Sequence, residues 1–570
     1  MVEISTWKEP DGQPAGGGGA RDVSRRRVLA GSALLAVGSV VAGGAPAAVA
    51  APLPVPDPGP PPATPLPGVP RSRHAVGDPR GSDVVARFGR AKEARFGTMF
   101  KKLTAFTPDD DLLVGLSEKM VEARGPADDI VPDGLDNPTM PAGFIYLGQF
   151  IDHDMTRDTT PLGDQRLDPR GLTNFDTPRF DLGSVYGGGP AADPELYDPQ
   201  RPGYLLLSRN ANGLEDLPRA GNGTAFVGDP RNDENLIISQ MQMAFIKLHN
   251  HFMDSEHDFT RARQQTRWHF QWVVVHDFLP HVVGQQVLDD MLFTFAGRPR
   301  ARTLFYKPGN PFKPMMPIEF SVAAYRWGHS GIRPEYEMHE TPFSPSPSVL
   351  PIFSTDTGPN PRDLRGSRPL FLDATIDWNY FFEIPGVEPP DDRNMARLID
   401  TQVARPLHDL PDSVIAHTPG AVIALAQRNL LRGKRLGLPA GQDVAATMRA
   451  QVPTMPAPLT NGQLGLTEPR WGGKAPLWFY CLREAELGGG LTLGAVGGRI
   501  VAEVILGLLQ IDLGSYWNAP AGFTPVGGPS FRMGDLIRLA GAPVAPVSAE
   551  GAAPPLRFGV ARGVVAGRAR

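Results

Sequence analysis

Three polar residues between positions 149 and 153 have the types and the spacing for acid–base chemistry. Gln149, Asp152 and His153 are related as i, i+3 and i+4, so a helix over 148–154 would carry them on one face. A histidine can take up and return a proton near neutral pH. Asp154 would point about 100° away from that face. An isolated Asp-His-Asp segment is more often part of a capped surface helix with incidental charges.

Three further segments place polar residues beside apolar helices. They are 228–235 (Gly-Asp-Pro-Arg-Asn-Asp-Glu-Asn), 325–329 (Tyr-Arg-Trp-Gly-His) and 428–439 (Arg-Asn-Leu-Leu-Arg-Gly-Lys-Arg-Leu-Gly-Leu-Pro). In the first, Asn232 or Asp233 would cap the following helix, and Glu234 in its first turn would favour the helix dipole. Capping does not account for Arg231. In the second, a single histidine beside a tryptophan is more often a core residue than a ligand.

Together and in this order, the four segments resemble the animal-type haem peroxidases of the peroxidase–cyclooxygenase superfamily, over roughly residues 90–510. The family's distal motif Gln-x-x-Asp-His-Asp stands at 149–154. Its catalytic arginine and glutamate stand at Arg231 and Glu234, and a His-Asn pair stands at 249–250. The resemblance implies a mostly α-helical fold, with a single large haem peroxidase domain of the myeloperoxidase-like type and long irregular loops.

The proximal half of the resemblance lies further along the chain. The family's Arg-x-Gly-His motif stands at 326–329 and its supporting asparagine at Asn429. The resemblance implies one haem b whose iron is bound by His329. The side-chain oxygen of Asn429 could accept the hydrogen bond of the other ring N–H. An amide there, in place of a carboxylate, should leave the iron more electron-poor.

On the distal side the resemblance implies peroxide chemistry. His153 would take a proton from hydrogen peroxide and return it to the leaving oxygen, and Arg231 would stabilise the charge that develops as the O–O bond breaks. Gln149 would bind distal water or an anionic substrate. The expected function is a peroxidase that reduces hydrogen peroxide and oxidises small organic or halide donors.

Two carboxylates occupy positions from which many family members form ester bonds to haem methyl groups. They are Asp152 and Glu234. A third link is impossible because Asn235 stands where some relatives have a methionine. Two interpretations stay open, since both residues could instead be ordinary buried acids that bind water.

The resemblance also implies a calcium site. Asp154, Thr177 and Asp181 would supply side-chain oxygens, and Arg179 its carbonyl. Gly183 stands where some relatives have a serine hydroxyl. The site is therefore weaker, completed by backbone oxygen, or lost, in which case Asp154 is a solvated charge.

Two other functions remain open from the sequence. A fatty-acid dioxygenase of the same superfamily uses a tyrosine radical three residues before the proximal histidine. Here Arg326 holds that place and Tyr325 lies one residue further back, which favours a peroxidase. An exported haem-binding protein without catalysis would leave the pair of His153 and Arg231 unexplained.

The composition restricts the other kinds of site. The only cysteine of the 570 residues is Cys481, which excludes an internal disulfide, a CxxCH motif and a cysteine zinc site. It lies in an apolar run and is interpreted as a core residue. The histidines at 249, 251 and 257 lack an HExxH pattern and are interpreted as structural. The scattered charges, with a formal net charge of −5, indicate neither a nucleic-acid partner nor a polybasic membrane patch.

The chain is predicted to have four parts. Residues 1–50 resemble a twin-arginine export signal, in which an arginine pair precedes a glycine-broken apolar stretch too weak for a membrane span. Residues 51–80 form a proline-rich linker, 81–540 the peroxidase domain and 541–570 a loosely ordered tail. Without 1–50 the chain keeps 51 Lys and Arg against 57 Asp and Glu, a formal charge of −6. The expected location is periplasmic, cell-envelope or secreted.

Helical periodicity dominates the central part. Apolar residues recur at helical spacing in 113–123, 236–257, 264–293 and 495–510, whereas alternating strand patterns are scarce. Proline-rich stretches at 340–363 and 452–469 predict irregular connections.

Overall fold

Helices are the main secondary structure of the protein. The structure, a computed structural model, describes residues 94–122, 135–156, 173–174, 178–311, 313–340, 348–356, 358, 361–411, 414 and 422–544. These residues belong to one compact unit. The mostly α-helical single-domain fold predicted from the sequence is confirmed. The predicted export signal, the linker and residues 545–570 of the predicted tail lie outside the described residues and stay predictions.

The α-helices are numbered in chain order. They are α1 Asp110–Ser117, α2 Gly143–Met155, α3 Gly183–Tyr186, α4 Leu236–Glu256, α5 Phe259–Val273, α6 Leu279–Val283, α7 Gln285–Met291, α8 Arg405–His408, α9 Leu425–Arg435, α10 Gly441–Gln451, α11 Asn461–Leu464, α12 Leu477–Leu487, α13 Ala495–Ile511 and α14 Met533–Leu539. π-Helical turns cover Val274–Phe278 and Glu319–Ala323. Short 3-10 helices cover Pro194–Leu196, Pro230–Asp233, Ala324–His329, Leu372–Ala374, Trp378–Tyr380, Pro469–Trp471 and Tyr516–Asn518.

The strands are short and form small sheets at the edges of the helical body. They are β1 Ala94–Gly97, β2 Asp136–Pro141, β3 Thr173–Asn174, β4 Ser208–Arg209, β5 Glu215–Asp216, β6 Leu292–Phe295, β7 Arg298–Ala301, β8 Gly309–Asn310, β9 Lys313–Pro317, β10 Glu335–His339, β11 Ser348–Pro351 and β12 Met395–Arg397. One four-stranded sheet has the order β3-β1-β9-β8, and the pairs β10-β11, β12-β2, β4-β5 and β6-β7 stand alone.

Two of the four predicted helices are confirmed almost to the residue, namely α4 and α13. The stretch predicted over 264–293 is instead divided into α5, a π turn, α6 and α7. Gly284, with φ of +78°, ends α6. The helix predicted over 113–123 is shifted to α1, because Val121 already pairs with Val403 in a β-bridge.

Helix α2 is the central element, because all thirteen of its residues are buried. Its first residue must be small: a Cβ on Gly143 would lie 2.3 Å from the Phe381 carbonyl oxygen. Further along, the Phe150 ring stacks on Phe245 of α4 at a centroid distance of 4.7 Å. A helix buried on all sides has a fixed rotation, so the direction of each of its side chains is fixed as well.

Helix α4 begins beside α2, and specific residues fix where it begins and ends. The Asn235 side chain accepts from the Ile238 N–H at 2.9 Å and caps the N-terminus. At the other end His257 adopts a left-handed φ of 53°, and Asp258 caps α5 directly afterwards. The capping predicted for Asn232 or Asp233 is therefore wrong, and Glu234 precedes the helix instead of lying in its first turn.

Among the described residues, no helix has both the length and the apolar character that crossing a bilayer requires.

Candidate active site

The imidazole of His153 is buried on α2 and is held from one side. Its Nδ1 lies 2.8 Å from Oδ1 of Asn232. A carbonyl oxygen can only accept, so Nδ1 carries the proton and Nε2 of the neutral ring is the basic nitrogen. The orientation of the Asn232 amide is fixed in turn, because its Nδ2 donates to Oε1 of Gln242 at 2.8 Å. The helix face predicted from the sequence therefore presents a histidine of one defined tautomer.

The predicted neighbours of His153 are brought together on the same face. Oε1 of Glu234 lies 3.6 Å from Nε2 of His153 and accepts a hydrogen bond from the Gln149 side chain. Nδ2 of Asn235 donates to Oε1 of Gln149 at 3.4 Å. Asn235 thus links the cap of α4 to this polar group.

Arg231 lies across the end of α2. Its Nε and Nη2 donate to the carboxylate of buried Asp229 at 3.2 and 2.9 Å, and Nη2 also contacts the carbonyl oxygens of His153 and Thr156. Its Nη1 lies 3.9 Å from Oδ2 of Asp152. The guanidinium is therefore fixed next to the histidine by charged and backbone acceptors together.

Asp152 is buried and satisfied within its own helix end. Its Oδ1 accepts from the Thr156 hydroxyl at 3.0 Å, while Oδ2 faces Arg231. Asp152 therefore lies on the polar face of α2 that also presents His153, and Glu234 contacts His153 from the segment before α4.

A loop over residues 363–368 holds the backbone that carries Glu234. Ser367 N–H donates to the Asp233 carbonyl at 2.7 Å, and Gly366 N–H donates to the Glu234 carbonyl at 3.0 Å. A Cβ on Gly366 would lie 2.0 Å from the Asp233 oxygen, so only glycine allows this approach. The Asp233 carboxylate, for its part, binds Arg219 in a bidentate pair at 2.6 and 2.8 Å.

The second half of the site is centred on His329 at the end of the 3-10 helix Ala324–His329. The ring is fully buried, and this burial lowers the pKa of His329 well below its usual value. Its Nδ1 lies 2.7 Å from the side chain of Asn429 on α9. Because Nδ1 is engaged by Asn429, a metal would have to bind at Nε2, which is open to it only in the tautomer with the proton on Nδ1.

The predicted pair of His329 and Asn429 is present, but the amide is turned. Nδ2 of Asn429 faces the histidine, whereas Oδ1 accepts from Nη1 of Arg326 at 3.4 Å. With the amide in this orientation the expected hydrogen bond from His329 to the asparagine oxygen is not formed, and the expectation stays a prediction. The amide is turned because Arg326 is a cation that attracts its oxygen.

Two proximal residues were missed from the sequence. Trp478 of α12 donates from Nε1 to the Arg326 carbonyl at 3.2 Å, and its ring stands nearly perpendicular to His329 at 6.3 Å. Arg432 is buried on α9, one turn after Asn429. Arg432 could have been found from its i, i+3 spacing to Asn429. Asn232, whose contact with His153 was also missed, could have been found because it directly follows Arg231.

Tyr325 connects the two halves. Its ring stacks on Phe320 at 4.4 Å, and its hydroxyl donates to the Gly148 carbonyl of α2 at 3.2 Å. Burial, reinforced by the negative charge of Asp152, raises the pKa of Tyr325 well above its usual value. The side chain is a protonated, fully enclosed link between α2 and the His329 segment.

The residues predicted to bind calcium are partly described. Asp154 is completely buried, so it is not the solvated charge that one alternative expected. Its carboxylate accepts from Leu182 N–H at 2.9 Å and from Ser184 N–H at 3.4 Å. The side chain of Arg179 turns away to Asp512 at 2.8 Å, which leaves only its carbonyl for the loop.

Other parts of the predicted calcium site are less complete. Asp181 accepts from Gly183 N–H at 3.1 Å, and Thr177 lies outside the described residues. The Ser184 hydroxyl, 3.5 Å from Asp154, lies one residue after the serine position that Gly183 lacks. Within the described part of the chain no three His, Cys, Asp or Glu residues form a metal-binding group.

The remaining histidines and the cysteine have structural surroundings. His249 bonds to the Tyr186 hydroxyl and the Gly203 carbonyl, and burial lowers its pKa to about 4. Asn250 bonds to both backbone groups of Leu205. Burial raises the pKa of the Cys481 thiol well above its usual value, as expected for a core residue.

Comparisons with known proteins point to one family. Residues 153–364 match the animal haem peroxidase family. Thyroid peroxidase of Canis lupus familiaris is 22% identical over 308 residues, covering 48% of this chain and 29% of the canine protein, so the chain spans less than a third of that relative.

One solved structure has a similar fold. Peroxidase A of Dictyostelium discoideum covers 80% of this chain and 93% of its own at a TM-score of 0.52 and 14% identity. A fatty acid alpha-dioxygenase of Arabidopsis thaliana covers 80% and 76% at a TM-score of 0.49 and 13% identity. The family match begins at His153 and includes Arg231 and His329. Over residues 153–364 the chain is therefore similar to the animal haem peroxidase family.

Proposed function

We propose that the protein is a haem-dependent peroxidase that reduces hydrogen peroxide and oxidises small organic or halide donors. The observation that carries this proposal is the tautomer of His153: Asn232 fixes the proton on Nδ1 and leaves Nε2 as a base, and the Arg231 guanidinium is tied to the backbone carbonyl of the same residue. A histidine base next to a fixed guanidinium is the pair that heterolysis of an O–O bond requires.

The proximal residues fit a haem. His329 is neutral and buried, Nε2 is the ring nitrogen that would face iron, and the buried cations Arg326 and Arg432 suit the two carboxylates of a haem. Coordination through Nε2 needs a proton on Nδ1, so we expect the Asn429 amide to turn and present its oxygen. Both orientations have the same shape, and the contact given up with Arg326 is long, at 3.4 Å.

The distal residues divide the chemistry. A bound haem would supply the site that binds peroxide and stores its oxidising equivalents. Nε2 of His153 takes the proton of the near oxygen of peroxide and returns it to the leaving oxygen, so that water is released. Arg231 stabilises the negative charge on the leaving oxygen, and its ties to Asp229 hold the guanidinium in place beforehand. Gln149 and Glu234 enclose the same space.

Two finer features belong to the proposal. Asp152 and Glu234 lie on the distal face, which supports ester bonds from both carboxylates to haem methyl groups. The contact of Asp154 with the loop 182–184 supports a calcium ion bound by Asp154, Asp181 and nearby backbone oxygens, with the Ser184 hydroxyl replacing the one missing at Gly183.

Replacing His329 by Ala should abolish haem retention or shift the absorption spectrum strongly, because the only described ligand for the iron in the proximal segment is lost. The measurement is the Soret band after gel filtration. His251→Ala, which changes a half-buried histidine on α4, is the control and should keep the band. An unchanged band and full activity in His329→Ala would contradict the assignment.

The distal pair and Tyr325 should respond in opposite ways. His153→Ala and Arg231→Ala should each lower peroxide-dependent oxidation of a phenolic dye by about 10²–10⁴, the usual contribution of such groups. Tyr325→Phe keeps the stacking on Phe320 and loses one hydrogen bond, so dye oxidation should fall less than about threefold. Haem spectra and thermal unfolding check that each variant folds.

The same variants test the dioxygenase alternative. Oxygen uptake with linoleate should be negligible in the wild-type protein. Strong uptake that disappears in Tyr325→Phe, while dye oxidation persists, would replace the peroxidase proposal by a fatty-acid dioxygenase.

After turnover with peroxide, acidified organic solvent should leave the haem attached to the protein. Asp152→Asn and Glu234→Gln should each retain one bond, and only the double variant should release unmodified haem. Mass spectrometry of proteolytic haem peptides measures this. Complete extraction from the wild-type protein would show that both residues are ordinary buried acids.

Calcium removal should lower the thermal unfolding midpoint by several degrees, because the loop bound by Asp154 lies directly behind the helix that carries His153. Elemental analysis of never-chelated protein should give one calcium per chain, and Asp154→Asn should remove it. Active protein without calcium would refute the site and leave Asp154 as a pure hydrogen-bond acceptor.

A further inference from the structure

The hairpin of β6 and β7 exposes aromatic rings on its outer side. Phe295 is 67% exposed and Phe293 is 38% exposed. In the antiparallel register Phe295 is opposite Arg298 and Phe293 is opposite Arg300, so these four side chains share one side of the ribbon. We call these four residues and Arg302 the hairpin face. Polar residues normally cover the exposed part of a strand, whereas β6 exposes two phenylalanines.

The inner side of the hairpin fixes this orientation. Ala301 is buried, and its N–H donates to Oε1 of Gln510 on α13 at 2.8 Å. Leu292 is paired with Ala301 and lies on the same, inner side. A shift of register by one residue would expose these residues and bury the arginines, so the outward direction of the phenylalanines is built into the fold.

The hairpin face is strongly basic. Residues 292–307 contain four basic residues and no acidic one, in a chain whose formal net charge is −5. Within the described ranges none of Arg298, Arg300, Arg302 and Lys307 forms an ion pair. The Arg302 guanidinium instead lies over the Phe293 ring at 5.4 Å. A concentrated positive charge beside exposed rings is complementary to an anionic partner.

The turn keeps the tip apolar at some conformational cost. Ala296 and Gly297 have φ values of 49° and 74°, the pattern of a turn that usually contains Asn-Gly or Asp-Gly. Alanine is unfavourable at a positive φ and contributes no polar group. Phe295, Ala296 and Gly297 therefore form a tip without a polar side chain.

We propose that the hairpin face docks the protein on an anionic lipid bilayer. The phenylalanine rings enter the boundary between headgroups and acyl chains, and the arginines bind lipid phosphates. A convex tip favours this partner over a protein groove, because a soft bilayer encloses a protruding ring on all sides. The attachment is peripheral and independent of the peroxidase proposal.

The test uses the full-length holoprotein and 100 nm vesicles of phosphatidylcholine with or without phosphatidylglycerol. We expect the protein to sediment with the anionic vesicles at low salt and to dissociate at high salt. Phe293→Ser/Phe295→Ser should weaken binding at least about tenfold, and Arg298→Gln/Arg300→Gln/Arg302→Gln should remove the preference for the anionic lipid. Leu487→Ser/Leu491→Ser, a matched pair of exposed leucines outside the hairpin, should bind like wild type.

A second measurement tests whether the tip of the hairpin enters the bilayer. Phe295→Trp should show a blue-shifted emission when anionic vesicles are added, as the indole leaves water. The proposal is overturned if wild type does not bind, if the hairpin variants bind equally well, or if the tryptophan emission stays unchanged. A dimer that the phenylalanine variant converts to monomer, without vesicle binding by wild type, would assign the face to self-association.

Discussion

A helix without a solvent-exposed side carries four polar residues that need partners, and this constraint organises the structure. Each buried polar group left unsatisfied on α2 would cost several kcal/mol relative to water. His153 is therefore matched by Asn232, and Asp154 by the backbone of the loop after Asp181. Gln149 and Asp152 are matched by Glu234 and Thr156. The segments that pack around α2 are thus positioned so that they supply hydrogen-bond partners to its buried polar side chains.

The proximal half solves a different problem, namely how to keep a neutral imidazole in a fixed orientation inside a protein. Burial disfavours the imidazolium, and Asn429 and Trp478 surround the ring without offering a carboxylate. The nearby guanidinium of Arg326 acts on the amide instead of the ring. The orientation of the Asn429 amide thus depends on two competing contacts, one with Arg326 and one with His329. It can change when a ligand binds at Nε2 of His329.

The sequence predicted the site residues better than it predicted their hydrogen bonds. The i, i+3, i+4 spacing on a helix decides which side chains share a face, so Gln149, Asp152 and His153 could be placed together. The roles of Asn232 and Arg432 could not be predicted, because they depend on how α2, α4 and α9 meet. Local sequence patterns also favoured Asn232 as the N-cap of α4, whereas its side chain instead forms a tertiary hydrogen bond with His153. The break after Val283 follows from the local geometry of Gly284, which apolar periodicity alone does not reveal.

The Tyr325 hydroxyl bonds to a carbonyl 177 residues earlier in the chain, and Asn429 reaches His329 across 100 residues. Forming a contact between residues so far apart in sequence lowers the conformational entropy of the chain between them. This entropic cost is small only when the intervening chain is already compact. The complete site therefore cannot form in a fragment or a nascent chain that lacks α2 or α9. We expect the two halves of the site to come together in one of the last steps of folding. A cofactor that contacts both halves would therefore bind only a nearly native protein, and its binding would indicate that folding is complete.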